Sequence, residues 1–201
     1  MTRNFDLDDE ELKTGEAFLD KNEIYSELLV LRCRRGDVQA FRELVGTFER
    51  RLFYYLRRLT DDEQEAWDLI QQTWLKVFHG IHSLRDPRRF KSWLYSIARH
   101  TATNRIRSLA VDKARREESD LDLIADENSD PEEFDNAALV HYGLGKLQLE
   151  HREILTLFFL EEFSLAEISD ILKLPVGTVK SRLHRARNSL RTILAREGGH
   201  R

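Results

Sequence analysis

Ser164 to Leu194 reads SLAEISDILKLPVGTVKSRLHRARNSLRTIL, and its punctuation decides what kind of chain this is. Ser164 with Glu167 three residues on forms a capping box, in which each side chain satisfies a free amide donor of a new helix. Leu165, Ile168, Ile171 and Leu172 then recur at helical spacing and give that helix one apolar face. Lys173-Leu174-Pro175 ends the run, because proline cannot continue a helix and restricts the residue before it. A second helix restarts near Val176-Gly177-Thr178 and carries Lys180, Arg182, Arg185, Arg187 and Arg191. Those cations suit a phosphate backbone, while Thr178 and Ser181 at its start are small enough to enter a major groove. A solvated basic helix would explain the charges but not the order of capping box, turn and basic helix. The stretch is a helix-turn-helix, a unit for reading DNA.

Working outward, the chain has 201 residues, 41% hydrophobic and 34% charged, which fits one or two small domains with their own cores. It has 3 prolines and 9 glycines, and no alternating apolar run is long enough to propose a sheet, so the expected fold is all-α. Cys33 is the sole cysteine, which excludes an internal disulfide or a cysteine-rich zinc site and reads as a small buried hydrophobe. The amino terminus, MTRNFDLDDEELK, is acidic and lacks an apolar signal core. With no run of membrane-spanning length either, the expectation is a cytoplasmic protein without membrane insertion.

The net charge of -4 argues at first against nucleic acid, but the distribution of charge points the other way. Arg85 to Arg116 holds ten Lys or Arg against two acids, and Pro175 to Arg201 seven against one. Between them, Glu117 to Asp135 holds ten acids and no base. Local potential, not net charge, sets where DNA can sit, and this pattern makes two basic faces joined by an acidic connector.

Residues 1–23 read as an acidic, mobile or weakly helical extension. A short helix is expected from Ile24 to Arg35, ending at Gly36. Asp37 caps a long one whose seam is Val38, Phe41, Val45, Phe48, Leu52, Tyr55 and Leu59. The next helix, Glu63 to about Ile81, turns Ala66, Leu69, Ile70, Thr73, Trp74, Val77 and Phe78 inward, leaving Trp67, Asp68, Gln71, Gln72, Leu75 and Lys76 outward. Apolar anchors in a polar rim suit a docking surface, and scattered surface hydrophobes are an equally good account on this pattern alone. After the loop Ser83 to Pro87, a helix from Phe90 buries Trp93, Leu94, Ile97, Ala98 and Thr101 and carries Lys91, Arg99, His100, Asn104, Arg105 and Arg107 on its polar surface. Such cations near aromatic rings suit one DNA strand with unstacked bases. Residues 110–136 form the connector, and two helices, Ala137 to Leu149 and Glu150 to Phe163, precede the helix-turn-helix. The second is apolar nearly all round and is expected at the centre of its domain. Residues 197–201 should fray.

No Gly-rich phosphate loop, zinc spacing or nucleophile motif occurs, and no cofactor is implied. His79 and His82 lack a third ligand and read as surface residues, so no metal site is proposed.

Two separated stretches are similar to one family. AWDLIQQTWLKVF (Ala66 to Phe78) with FKSWLYSIARHTATNRIR (Phe90 to Arg107) resembles region 2 of the extracytoplasmic-function sigma factors of bacterial RNA polymerase. LPVGTVKSRLHRARNSLR (Leu174 to Arg191) resembles their region 4. The resemblance implies region 2 over 24–109, an acidic linker over 110–136 and region 4 over 137–196. It further implies a non-catalytic protein that gives core polymerase its promoter specificity. Its partners would be the coiled coil of the largest polymerase subunit, the polymerase flap, promoter DNA and an anti-sigma factor. Core binding would fall to Trp67, Asp68, Gln71, Gln72, Leu75 and Lys76. Minus-10 recognition and melting would fall to Arg85, Arg88, Arg89, Lys91, His100, Asn104, Arg105 and Arg107. The minus-35 element would be read by Thr178, Lys180, Ser181, Arg182, His184, Arg185 and Arg187, with Arg182 and Arg187 on phosphates or in packing.

Three positions depart from the family pattern. Trp67 and Gln72 stand where acids are usual, His100 where Asn is common, and Lys173 where the turn often has Gly, at about 1 kcal/mol if its backbone is left-handed. Two other readings compete: a dimeric helix-turn-helix regulator with an N-terminal effector domain, and a nucleic-acid enzyme with a DNA-binding tail. The match in the N-terminal half weighs against the first, and the lack of a catalytic group against the second.

Overall fold

The computed structural model describes residues 21–60, 62–116 and 136–198, and within them every regular element is helical. The expectations for the N-terminal extension, most of the connector and the end of the tail lie outside the described residues.

The first domain is a four-helix pack of α1 (Lys21–Arg34), α2 (Val38–Leu59), α3 (Glu63–Gly80) and α4 (Phe90–Arg116). Gly36, at φ 84°, makes the left-handed turn out of α1. Asp37 then caps α2, its carboxylate accepting from the Ala40 amide at 3.0 Å and from Arg32 Nε at 2.9 Å. Asp62 caps α3 in the same way through the Glu65 amide at 2.8 Å. The core is filled by Leu29, Leu44, Leu52, Tyr55, Leu69, Ile70, Phe90, Leu94 and Tyr95. Trp93, expected inward, is partly buried against that core. Two expected core positions are surface ones. Val38 is 56% and Phe78 48% exposed, because each lies at the margin of its helix's apolar stripe, where periodicity alone cannot separate core from rim. Short 3-10 turns at Ile81–Ser83 and Pro87–Arg89 carry the chain into α4. That helix runs on through Ala110 to Arg116, into what the composition marks as connector.

The second domain consists of α5 (Asn136–Gly145), α6 (Leu149–Leu155), a single π-helical turn (Thr156–Leu160), α7 (Leu165–Leu172) and α8 (Val176–Gly198). The capping box at Ser164 is present, with the Ser164 amide donating to Glu167 at 2.9 Å and the Glu167 amide to Ser164 Oγ at 3.3 Å. Lys173 closes α7 in the left-handed conformation, φ 56° and ψ 44°. The helix expected over Glu150 to Phe163 is not continuous. It widens into the π turn and breaks at Glu162, whose φ is 59°, so Ile154, Leu155 and Leu157 are buried while Phe159 and Leu160 face outward.

The two domains touch. α4 lies along α7, and α2 reaches α6 and the π turn.

Candidate nucleic-acid interface

On α8, Val179, Leu183 and Ala186 are buried at helical spacing against the second domain's core. The opposite face therefore presents Lys180, Ser181, His184 and Arg185 to solvent. Asn188, which sequence reasoning passed over, joins them: its amide lies 3.0 Å from His184 Nε2, one helical turn away. The i, i+4 spacing from His184 was the available signal. Thr178 and Arg187 are half-buried at the edges of this face. Arg182 is turned aside into a 2.9 Å ion pair with Glu150 on α6, which makes it a packing residue.

The second basic surface is less open. Arg85 and Arg107 are exposed, and His100 and Asn104 pair with each other at 2.9 Å on the exposed side of α4. Arg88 folds back on Asp86 through two bonds of 3.0 and 3.1 Å, and Arg105 reaches Glu65 on α3 at 3.1 Å. Arg89 pairs with Asp170 of α7. Lys91, expected toward DNA, turns into the other domain instead. Its ammonium donates to the Glu161 carbonyl at 2.5 Å and sits 4.5 Å from the centre of the Phe163 ring. Burial lowers its pKa.

Sequence reasoning missed the partners in this contact. Tyr95 Oη donates to the Glu161 carboxylate at 2.6 Å, and Tyr55 Oη to Glu153 at 3.1 Å; Arg99 Nε meets Glu153 at 3.0 Å. Both carboxyls are almost wholly buried, which raises their pKa, and the same burial holds the two phenols protonated. Acids set inside otherwise apolar runs, REIL and FFLEEF, were the only trace of this in the sequence.

On α3, the outward residues form a separate surface. Leu75 is 61% exposed, with Asp68, Gln71 and Gln72 exposed beside it. Trp67 is more attached than expected, since its indole stacks on Phe53 at 4.5 Å and is only partly exposed. Lys76 leans over to Thr101 Oγ1 at 2.9 Å. Exposed Phe78, packed edge-on against Phe41 at 5.2 Å, extends this apolar surface beyond Leu75.

An exposed basic helix follows a left-handed turn in one domain, and the other domain carries a second basic surface and a separate exposed apolar face. Comparison with known proteins agrees. Residues 44–111 match the family model for sigma-70 region 2, and residues 139–190 that for sigma-70 region 4. The chain is 33% identical over 179 residues to the RNA polymerase sigma-H factor of Pseudomonas aeruginosa, covering 81% of this chain and 90% of that one. It is 30% identical over 176 residues to the ECF RNA polymerase sigma factor SigW of Bacillus subtilis, covering 82% and 94%. Among solved structures, CnrH in complex with the cytosolic domain of CnrY matches with a TM-score of 0.61 at 25% identity, over 85% of this chain and 97% of that one. The sigma factor RpoE in complex with the anti-sigma factor NepR, from Bartonella quintana, shares the fold with a TM-score of 0.65 at 24% identity, over 78% and 98%. The chain belongs to the extracytoplasmic-function sigma factors of the sigma-70 family. It is a transcription-initiation factor. No helix among the described residues is long and apolar enough to cross a membrane.

Proposed function

We propose that this chain docks on core RNA polymerase through the outward face of α3 and carries it to promoters whose minus-35 element is read by α8 and whose minus-10 element is opened by α4. Region 2 would occupy residues 24–109 and region 4 residues 137–196, with no catalysis by the chain itself, working in the cytoplasm. The observation that carries this reading is the coexistence of two kinds of surface. Leu75 stands out of a ring of amides and a carboxylate, as a protein-docking anchor does. Lys180, Ser181, His184 and Arg185 stand out of a helix held by its other face, as base-reading residues do. Core contact falls to Trp67, Asp68, Gln71, Gln72, Leu75 and Lys76, through the coiled coil of the largest subunit, with region 4 on the flap. Arg85, Arg107, His100 and Asn104 are the first-domain residues best placed for a melted strand. Because CnrH and RpoE are described in complexes with CnrY and the anti-sigma factor NepR, an anti-sigma factor is the expected regulator here too.

Reconstituted transcription tests the reading. Purified chain added to core polymerase should give initiation at discrete sites on fragmented genomic template, and sequencing those transcripts would define the promoter. Absence of site-specific initiation would remove the proposal.

A further inference from the structure

We propose that the exposed apolar stripe of α1 is the seat of the chain's own acidic amino-terminal segment: Phe5, Leu7 and Leu12 cover Ile24, Leu28 and Leu31, and the carboxylates among them face Arg34 and Arg35 at the far end of the helix. The inference goes beyond the sigma reading, which gives that face of α1 no contact.

α1 is apolar on two sides. Leu29, Val30 and Cys33 are buried in the first domain's core. Ile24, Tyr25, Leu28 and Leu31 recur at helical spacing on the outside, each 44% to 51% exposed. A helix that is apolar all round belongs in an interior, yet among the described residues α1 packs only against α2 and the two 3-10 turns. Its rotation is fixed, because Tyr25 at the edge of the stripe donates its hydroxyl to Glu43 of α2. Single surface hydrophobes need no explanation, but four that abut on one helix make a patch of the kind another surface covers. The stripe lies on a different helix from Leu75 and Trp67, so the docking face of α3 does not account for it.

Charge and reach identify the occupant. Beyond Leu31 the helix ends in exposed Arg34 and Arg35, while Arg32 is already held by Asp37 at 2.8 Å, so the fitting partner is apolar and rich in acids. Residues 1–20 hold seven acids against two bases, and five of those acids fall between Phe5 and Leu12. Reach is sufficient as well. Ile24 to Leu31 spans about 10 Å of helix axis, and the residues from Phe5 to Leu12 cover that length even at the helical rise of about 1.5 Å each. Residues 13–20 include Gly15, which can take a left-handed turn, and connections of about 2–8 residues suffice to reverse a chain beside a helix. Reversal brings Leu12 to Ile24, Leu7 and Phe5 to Leu28 and Leu31, and the acids to the two arginines. Because the segment is tethered, it meets the stripe at an effective concentration of order millimolar, which a separate chain in dilute solution does not match.

The test is methyl NMR on the full chain in a Cys33→Ala background, with a nitroxide attached at Asp9→Cys. Methyl signals of Ile24, Leu28 and Leu31 should lose about half their intensity or more relative to the reduced label, while those of Leu157 and Leu183 in the second domain keep theirs. Phe5→Ser with Leu7→Ser and Leu12→Ser should restore the three signals. Full intensity in the parent chain overturns the proposal, and so does a loss that survives the serine variant. A second copy is detected by mixing nitroxide-bearing chains of natural isotope content with isotope-labelled chains that carry no nitroxide. Loss of intensity in that mixture overturns the intramolecular seat, and unchanged intensity supports it. Should the serine variant lose its helical circular dichroism, Leu28→Gln on the exposed stripe takes its place: restored Ile24 and Leu31 signals support the seat, and continued loss overturns it. Neither polymerase nor DNA enters these measurements, so their failure is distinct from a failure of reconstituted transcription.

Discussion

The basic helices α4 and α8 are built to similar specifications, yet α8 exposes Lys180 and Arg185 while α4 turns Lys91 and Arg99 toward a neighbouring domain. Each is amphipathic, and each carries a His–Asn pair one turn apart, His100 with Asn104 and His184 with Asn188. The difference lies in what packs against the polar side. Along α8, Arg182 is drawn to an acid of the same domain. Along α4, Arg99 meets an acid and Lys91 a carbonyl, and Arg89 just before it meets an acid too, all from the other domain. A basic stripe in sequence therefore says where DNA can be attracted, and the surrounding fold decides when.

Four measurements sharpen or break this contrast. The largest effect should come from the surface that is neither basic helix. Leu75→Arg puts a charge at an exposed apolar anchor, and core-polymerase affinity should fall by about 2 kcal/mol or more; unchanged affinity in a pull-down titration would move the docking face off α3. Next, Lys180→Ala and Lys91→Ala should part company in binding to a minus-35 duplex without polymerase. The first should change the preference among duplex sequences by about 1–3 kcal/mol, the second by less than about 0.5 kcal/mol. Equal and sequence-independent losses would erase the distinction between the two helices.

Smaller is the expected gain from Lys173→Gly at the turn before α8. The left-handed backbone there favours glycine by about 1 kcal/mol, so urea unfolding should shift to higher concentration without loss of duplex binding. Last, burial pushes the Cys33 thiol up to about 11. Alkylation in the native chain at pH 8 should run about a hundredfold slower than in free cysteine and recover on denaturation. Fast native alkylation would show that the packing of α1 against α2 is looser than described.

The helix-turn-helix was legible almost residue by residue, because capping boxes, prolines and left-handed turns are local devices that act through neighbours in sequence. Ser164, Glu167 and Lys173 each do in the fold what their positions announce. Faces were legible in their centres and not at their margins, which is why Leu75 faces outward as expected while Val38 and Phe78 do not lie in the core. The inter-domain contact was illegible for a different reason. Tyr55 and Glu153 are 98 positions apart, and Tyr95 and Glu161 are 66 apart. Nothing in either partner's own surroundings names the other. Lys91 reads as a DNA contact in sequence because cations on a polar helix face carry no mark of which polyanion, a nucleic acid or the protein's own carbonyls and carboxylates, will claim them.

The π turn at Thr156–Leu160 bears on how such a chain can change over generations. A π turn is an α-helix holding one residue too many, so a single in-frame codon deletion there would restore the regular winding. Each residue of an α-helix advances about 100° around the axis. Everything between the deletion and the Ser164 cap would swing by that angle, carrying Glu161 away from Tyr95 while leaving the helix-turn-helix, with its own cap and turn, as it is. The joint between the two domains thus depends on a length of chain as well as on the identity of its side chains, and one codon can reset it.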